Sequence, residues 1–118
     1  MRAQYHQEIL TSRLEIDVLK ARLPINDILT FGARQNPKRW YLFISKILGK
    51  YIPCRPTKMR ESYQLLAKDI LTHMSTSKNV WVLGVAETAV GLGAGVAEEI
   101  INGQQSLDAI YSHTTRYA

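Results

Sequence analysis

The pattern of apolar and polar positions is clearest in the C-terminal half of the chain. Residues 58–74 place apolar side chains every three or four positions, which is the period of an amphipathic helix. Residues 80–85 form a short apolar, β-branched run that predicts a strand. A loop of small residues follows, and then a second helix closed by Asn102-Gly103. Residues 109–112 predict another short strand, parallel to the first because a helix connects the two.

The N-terminal part has a weaker pattern. Residues 1–12 are polar, and we expect them to be loosely ordered. Residues 13–19 alternate between apolar and acidic positions, as a half-buried strand does. Asn26 or Asp27, which follow Pro24, can cap a short helix that runs to about Gln35.

The middle of the chain predicts a strand, a loop and the start of the amphipathic helix. Residues 40–44 are apolar with high β propensity, which is typical of a buried strand. Residues 45–56 contain a glycine and two prolines and predict a long ordered loop, after which Thr57 can act as an N-cap. Residues 75–79 and 103–106 are polar and predict connecting turns.

Composition limits the classes of protein to which the chain can belong. The 118 residues allow one domain, and 46% apolar with 21% charged residues is ordinary globular composition. No apolar run has the length of a membrane span, and no secretory signal follows Met1, so we expect a cytoplasmic protein. The single cysteine, Cys54, excludes an internal disulfide, and the three histidines have no metal-ligand spacing.

The net charge of +5 is concentrated in one block. Residues 28–60 contain no acidic side chain and hold eight of the fifteen basic ones: Arg34, Lys38, Arg39, Lys46, Lys50, Arg55, Lys58 and Arg60. Such a block favours a polyanion such as phosphate, pyrophosphate or nucleic acid, although a solvated charged face is the simpler alternative. Aromatic residues within the block indicate that part of it is structured.

The small-residue loop after the strand at 80–85 is the main candidate site. Backbone amides at a helix N-terminus have no intrahelical partner, so an anion can bind there. The loop has no Lys-Ser/Thr pair after its last glycine, and Gly91-x-Gly93-x-Gly95 lacks the dinucleotide-binding spacing. The alternative is that these glycines only let the helix pack closely on the sheet. Valine at Gly91 is predicted to disrupt the loop, whereas Glu87→Ala should change stability little.

A second candidate follows the last predicted strand. His113 is followed by two hydroxyls and a guanidinium, in Thr114, Thr115 and Arg116, and these groups suit phosphate oxygens. The alternative is a polar strand terminus without a ligand.

These stretches together resemble one family. The residues that carry the resemblance are Arg34-x-Asn36-Pro37-Lys38-Arg39, Leu42-Phe43-Ile44-Ser45-Lys46-x-Leu48-Gly49-Lys50-x-Ile52-Pro53, Gly84-Val85-Ala86-Glu87-Thr88-Ala89-Val90-Gly91-Leu92-Gly93 and Ser112-His113-Thr114-Thr115-Arg116-Tyr117. In this order they are similar to the phosphoribosyltransferase-like proteins found in bacterial tellurium-resistance gene clusters. The resemblance covers the chain from Arg34 to Tyr117.

The resemblance implies an α/β fold of the type I phosphoribosyltransferase (Rossmann-like) class, with a parallel sheet flanked by helices. It further implies that residues 1–56 form an N-terminal extension and that residues 57–118 begin the core. The pyrophosphate loop would then consist of Ala86, Glu87, Thr88, Ala89, Gly91 and Gly93. Thr114, Thr115 and Arg116 would face the diphosphate from the second strand, and Lys46, Lys50 and Arg55 would contact phosphate or base.

The implied substrates are phosphoribosyl diphosphate or pyrophosphate and a nitrogenous base, with Mg²⁺ accompanying the diphosphate. The family's acidic pair followed by a Thr-Gly turn, which binds the ribose 5-phosphate, has no counterpart in these 118 residues. We therefore expect the chain alone to be inactive. Two alternatives stay open: a non-catalytic nucleotide- or nucleic-acid-binding module that uses residues 34–60, and a purely structural remnant, such as a homo-oligomer, that needs a partner chain to complete its sheet.

Overall fold

The computed structural model describes residues 3–74, 79–103 and 108–116. Its backbone contacts divide the chain into two compact units, Met1–Cys54 and Arg55–Ala118. The predicted turns at 75–79 and 103–106 fall largely outside the described residues. Within the described residues, every helix is too short or too polar for a transmembrane span.

The first unit consists of two antiparallel hairpins. Strands β1 (Ala3–Ile9) and β2 (Ser12–Val18) pair across a two-residue turn, with Ile9 opposite Ser12. The four-residue helix α1 (Ile25–Ile28) leads into β3 (Leu29–Ala33), which pairs with β4 (Tyr41–Ser45) so that Phe31 lies opposite Phe43. Buried Phe31 contacts the ring of Tyr5 at 5.9 Å between centroids, which joins the two hairpins.

Three predictions for this unit are wrong. Residues 3–9 of the segment that we expected to be loosely ordered form the polar strand β1, which satisfies its backbone groups by pairing with the alternating strand β2; residues 1–2 lie outside the described residues. The helix predicted to reach Gln35 ends at Ile28, since residues 29–33 pair with β4 instead. The strand at 40–44 exists, shifted by one residue, but it is not buried, because Phe43 is 54% exposed.

The second unit contains the predicted strand–helix–strand arrangement. Helix α2 (Pro56–His73) precedes β5 (Asn79–Gly84), α3 (Ala89–Gly103) and β6 (Asp108–His113). Strands β5 and β6 are parallel, as predicted, with Trp81 opposite Ile110. The N-cap of α2 is Arg55 rather than the predicted Thr57, because Pro56 occupies the first helical position, where its missing amide hydrogen costs nothing.

The core of the second unit lies around α3. Helix α3 packs against α2 and against both strands, and Ile100 is fully buried with Ala67 and Val96 beside it. Val80 and Val82 of β5 pack against this cluster, whereas Trp81 and Ile110 on the opposite face of the strands are 70% and 68% exposed. The described part of the chain is therefore a small mixed α/β structure with one parallel strand pair.

Candidate functional site

The two predicted phosphate-binding stretches meet at the carboxyl edge of the parallel pair. Gly84, the last residue of β5, lies opposite His113, the last residue of β6. The Thr114 amide donates a hydrogen bond to the Gly84 carbonyl oxygen at 3.0 Å, and the Thr114 hydroxyl accepts one from the Ala86 amide at 2.8 Å. Ala86 and Thr114 are thus adjacent, although 28 positions separate them in sequence.

The loop between β5 and α3 is shorter than the glycine pattern predicts. Only Val85, Ala86, Glu87 and Thr88 separate the strand from the helix, and the Ala86–Glu87 peptide bond is cis. The Ala89 amide donates to the Val85 carbonyl oxygen at 3.1 Å, and the Val90 amide to the Glu87 carbonyl oxygen at 3.3 Å. The expectation of unpartnered amides is therefore wrong for Ala86 and Ala89, whose amides donate to acceptors of this chain.

Gly91, Gly93 and Gly95 lie inside α3 rather than in the loop, and they differ in role. A β-carbon on Gly93 would come within 3.1 Å of the Gly84 α-carbon, and one on Gly95 would collide with the Tyr63 ring. These two glycines therefore allow close packing of α3 on β5 and α2, which is the alternative that the sequence left open. A β-carbon on Gly91 would meet nothing within 4 Å and Gly91 lies in the first turn of α3, so its predicted place in the loop is wrong, whereas the effect of valine there stays a prediction.

A guanidinium and a carboxylate face each other beside the loop. The Arg116 Nη1 and Glu87 Oε1 atoms are 3.7 Å apart, and both side chains are more than half exposed. An exposed pair of this kind contributes at most about 1 kcal/mol to stability, because water screens it. Its geometry nevertheless places a cation next to Ala86 and Thr114, where the two predicted stretches meet. Thr88 and Thr115 have further interactions of their own within the chain.

Tyr111 supports the site, although no motif in the sequence marks it. Its hydroxyl donates to the Val90 carbonyl oxygen at 2.6 Å, which ties the first turn of α3 to strand β6. Its ring also lies against Gly93, within 3.1 Å of where a β-carbon would be. The alternation of β6 was the available signal, since Tyr111 follows Ala109 on the face that packs against α3.

Lys46, Lys50 and Arg55 were predicted to contact phosphate or base, and the structure gives each of them a position in the fold. The Lys46 Nζ donates to the Asn26 carbonyl oxygen, and the Lys50 Nζ lies 5.7 Å from the centre of the Tyr51 ring. Both lysines belong to the first unit, whereas Arg55 caps α2 in the second. In residues 3–74, 79–103 and 108–116, no cluster of three His, Cys, Asp or Glu side chains could hold a metal ion.

The Ala86–Thr114 hydrogen bond gives a direct prediction. Thr114→Val keeps the shape of the side chain but leaves the partly buried Ala86 amide without its acceptor, which costs about 1–3 kcal/mol of unfolding free energy. We expect a lower melting temperature by circular dichroism. Thr114→Ser retains the hydroxyl and is the control, and equal melting temperatures for the two variants would contradict the role of this bond.

Comparison with known proteins assigns the chain to a family. A family model described as phosphoribosyl transferase matches residues 28–118, which is more than half of the chain. The matched range includes the loop after β5 and the residues after β6. Searches of curated proteins and of solved structures give no match.

Proposed function

The chain belongs to the phosphoribosyl transferase family, and from this premise we propose that the carboxyl edge of β5 and β6 binds a diphosphate group. The ligand is phosphoribosyl diphosphate or free pyrophosphate. The observation that carries the proposal is the hydrogen bond between the Ala86 amide and the Thr114 hydroxyl, which holds the loop and the second stretch together. Ligands of open α/β sheets bind at this edge, beyond the carboxyl ends of the strands.

The side chains at this edge have the chemistry that a diphosphate requires. Arg116 supplies a permanently charged guanidinium that can donate two parallel hydrogen bonds to phosphate oxygens. The Thr114 hydroxyl accepts from Ala86, so its own hydrogen can donate to a ligand oxygen. Since the Ala86 and Ala89 amides have partners within the chain, the side chains after β6 carry more of the binding than the resemblance alone implies.

Glu87 opposes the binding of a bare anion. Its carboxylate lies 3.7 Å from Arg116, where it neutralises part of the charge offered to phosphate. Mg²⁺ supplied with the diphosphate reduces its negative charge and so its repulsion by Glu87. In this proposal the cation enters with the diphosphate substrate.

In the proposed reaction, a phosphoribosyl group passes between diphosphate and a nitrogenous base. This chain contributes the groups that hold the diphosphate, and Arg116 stabilises the charge that develops on it. We propose that these 118 residues bind diphosphate without transferring the group, because the acidic pair and Thr-Gly turn are not among them. The four stretches between Arg34 and Tyr117 also favour the branch of the family found in tellurium-resistance gene clusters.

Calorimetric titration with Mg²⁺-pyrophosphate and Mg²⁺-phosphoribosyl diphosphate tests this proposal. Arg116→Gln removes a charge-assisted contact of about 1.5–3 kcal/mol, so the dissociation constant should rise at least about tenfold. Glu87→Gln should strengthen binding of pyrophosphate, since it removes the competing carboxylate.

The control for Arg116→Gln is Arg13→Gln. Arg13 also forms an exposed ion pair, 3.3 Å from Glu15, but it lies on β2 in the first unit. The control changes the net charge by the same amount and should leave binding as in the parent. Equal affinities for folded Arg116→Gln and for the parent chain would contradict the proposal.

A further inference from the structure

The loop between β3 and β4 carries three exposed cations in an ordered turn. The Asn36 Oδ1 atom accepts hydrogen bonds from the Lys38 amide at 2.9 Å and the Arg39 amide at 3.3 Å. The Arg34 amide donates to the Trp40 carbonyl oxygen at 2.7 Å, which closes the loop. Among the described residues, Arg34, Lys38 and Arg39 form no ion pair. All three side chains are exposed, so their charges face solvent without a carboxylate beside them.

A row of aromatic rings continues from this loop along β4. Trp40 contacts Tyr41 at 5.4 Å between ring centroids, and Tyr41 contacts Phe43 at 5.9 Å. Phe43 in turn rests on buried Phe31 at 5.1 Å. Trp40 and Phe43 are 39% and 54% exposed, so both rings are partly open to solvent while the row rests on buried Phe31. The Arg39 guanidinium lies 5.9 Å from the centre of the Tyr41 ring, which brings a cation onto the row.

A pocket of about 360 Å³ opens at the start of the row. It lies between the β1–β2 turn and the β3–β4 loop, with Ile9 and Leu10 on one side and Trp40 on the other. Arg34 and Gln35 also line it. A flat heteroaromatic group could insert between the apolar side and the indole ring, where the Gln35 amide can both donate and accept hydrogen bonds.

We propose that this aromatic–basic surface of the first unit, formed by Arg34, Gln35, Lys38, Arg39, Trp40 and Phe43, binds single-stranded nucleic acid. Phosphates pair with the three cations, one base enters the pocket against Trp40, and a neighbouring base stacks on Phe43. Bases stacked on exposed aromatic rings beside a positively charged track are how proteins hold single strands. The absence of any acidic residue between Ile28 and Cys54 gives the surface the charge that this polyanion needs. The proposal does not depend on diphosphate binding in the second unit.

Fluorescence anisotropy with the full chain tests the proposal. The probes are fluorescein-labelled 12-mers of oligo-dT and oligo-U. They are titrated at salt concentrations between about 50 and 200 mM, because affinity that depends on phosphate contacts falls strongly over this range. We expect the logarithm of the association constant to fall linearly with the logarithm of the salt concentration. Trp40→Ala should weaken it about tenfold or more, and Phe43→Leu, which keeps the apolar bulk but removes the ring face, should weaken it by a smaller factor.

Two controls separate a base-stacking site from a merely charged surface. Arg39→Gln should reduce the salt slope by about 0.7, whereas Lys20→Gln on the same unit should not change it. The chain has two tryptophans, Trp40 and Trp81, so in a Trp81→Phe background an oligonucleotide should quench the fluorescence of Trp40. A Trp40→Ala variant with the melting temperature of the parent shows that any loss of binding is not unfolding.

Three results would overturn the proposal. An abasic 12-mer that binds as tightly as oligo-dT would show that the surface holds phosphate alone. Equal competition by a polyglutamate peptide would assign the surface to an acidic protein partner instead. Unchanged affinity of folded Trp40→Ala would place any nucleic-acid binding elsewhere on the chain.

Discussion

Alanine at Gly84 should disturb both the fold of the second unit and its candidate site. A β-carbon there would lie 2.7 Å from the Ala89 carbonyl oxygen and 3.2 Å from the Val90 α-carbon. Both are backbone atoms of the first turn of α3, so the helix must move away from β5. Overpacking of this kind costs about 1–3 kcal/mol of unfolding free energy, which lowers the melting temperature by about 5–15 °C. Because the displaced turn borders the loop, diphosphate affinity should fall as well.

Gly91→Ala is the matched control for this prediction. It adds the same methyl group seven residues further on, in the first turn of α3, where a β-carbon meets nothing within 4 Å. Alanine is favoured over glycine in a helix interior by about 1 kcal/mol, so this variant should melt at the same temperature as the parent or slightly higher. Thermal denaturation of both variants decides the matter. If the Gly84→Ala and Gly91→Ala variants have the same melting temperature, β5 and α3 do not pack as closely in solution as the structure shows.

Ile100→Ala should be the most destabilising of the substitutions considered. Ile100 is fully buried in the second unit and packs with Ala67 and Val96, so truncation leaves a cavity between α2, α3 and the strands. Replacing a buried isoleucine by alanine costs about 2–5 kcal/mol. Urea denaturation followed by circular dichroism should show a transition at a much lower denaturant concentration.

The neighbouring residue supplies the control. Ile101 has the same side chain on the same helix but is 48% exposed. Ile101→Ala removes less buried area and leaves no closed cavity, so its loss of stability should be well below half that of Ile100→Ala. Similar losses for the two variants would mean that α3 is oriented differently on the strands.

The sequence predicted the second unit better than the first, for physical reasons. The strand at 80–85, the two helices and the parallel strand at 109–112 each carry a strong local period, and the structure confirms all of them within one to two residues at most ends. The N-terminal strand β1 is polar and gains its structure from pairing with β2, which no local pattern reveals. Likewise, residues 29–33 leave the predicted helix because β4 offers them a hairpin partner.

At the candidate site, sequence order identified the two stretches but not the contacts between them. The family resemblance implied that the loop containing Ala86 and the stretch containing Thr114 face one diphosphate, and the structure places these two residues in hydrogen-bond contact. The positions of Gly93 and Gly95 were compatible with a ligand loop or with close helix packing, and only the coordinates separate these roles. The hydrogen-bond partners of the Ala86 and Ala89 amides depend on the conformation of a four-residue loop. Amino-acid composition alone does not specify that conformation.

The most direct test of the central claim is to follow the backbone amide resonances of the chain while Mg²⁺-pyrophosphate is added. Binding at the carboxyl edge of β5 and β6 predicts saturable shifts for Ala86, Thr88, Thr114 and Arg116. The proposal places no ligand contact on the β1–β2 hairpin, so its resonances should not change. The account would be contradicted if the amide resonances of the residues that follow β5 and β6 did not change, or if saturable shifts were confined to the first unit.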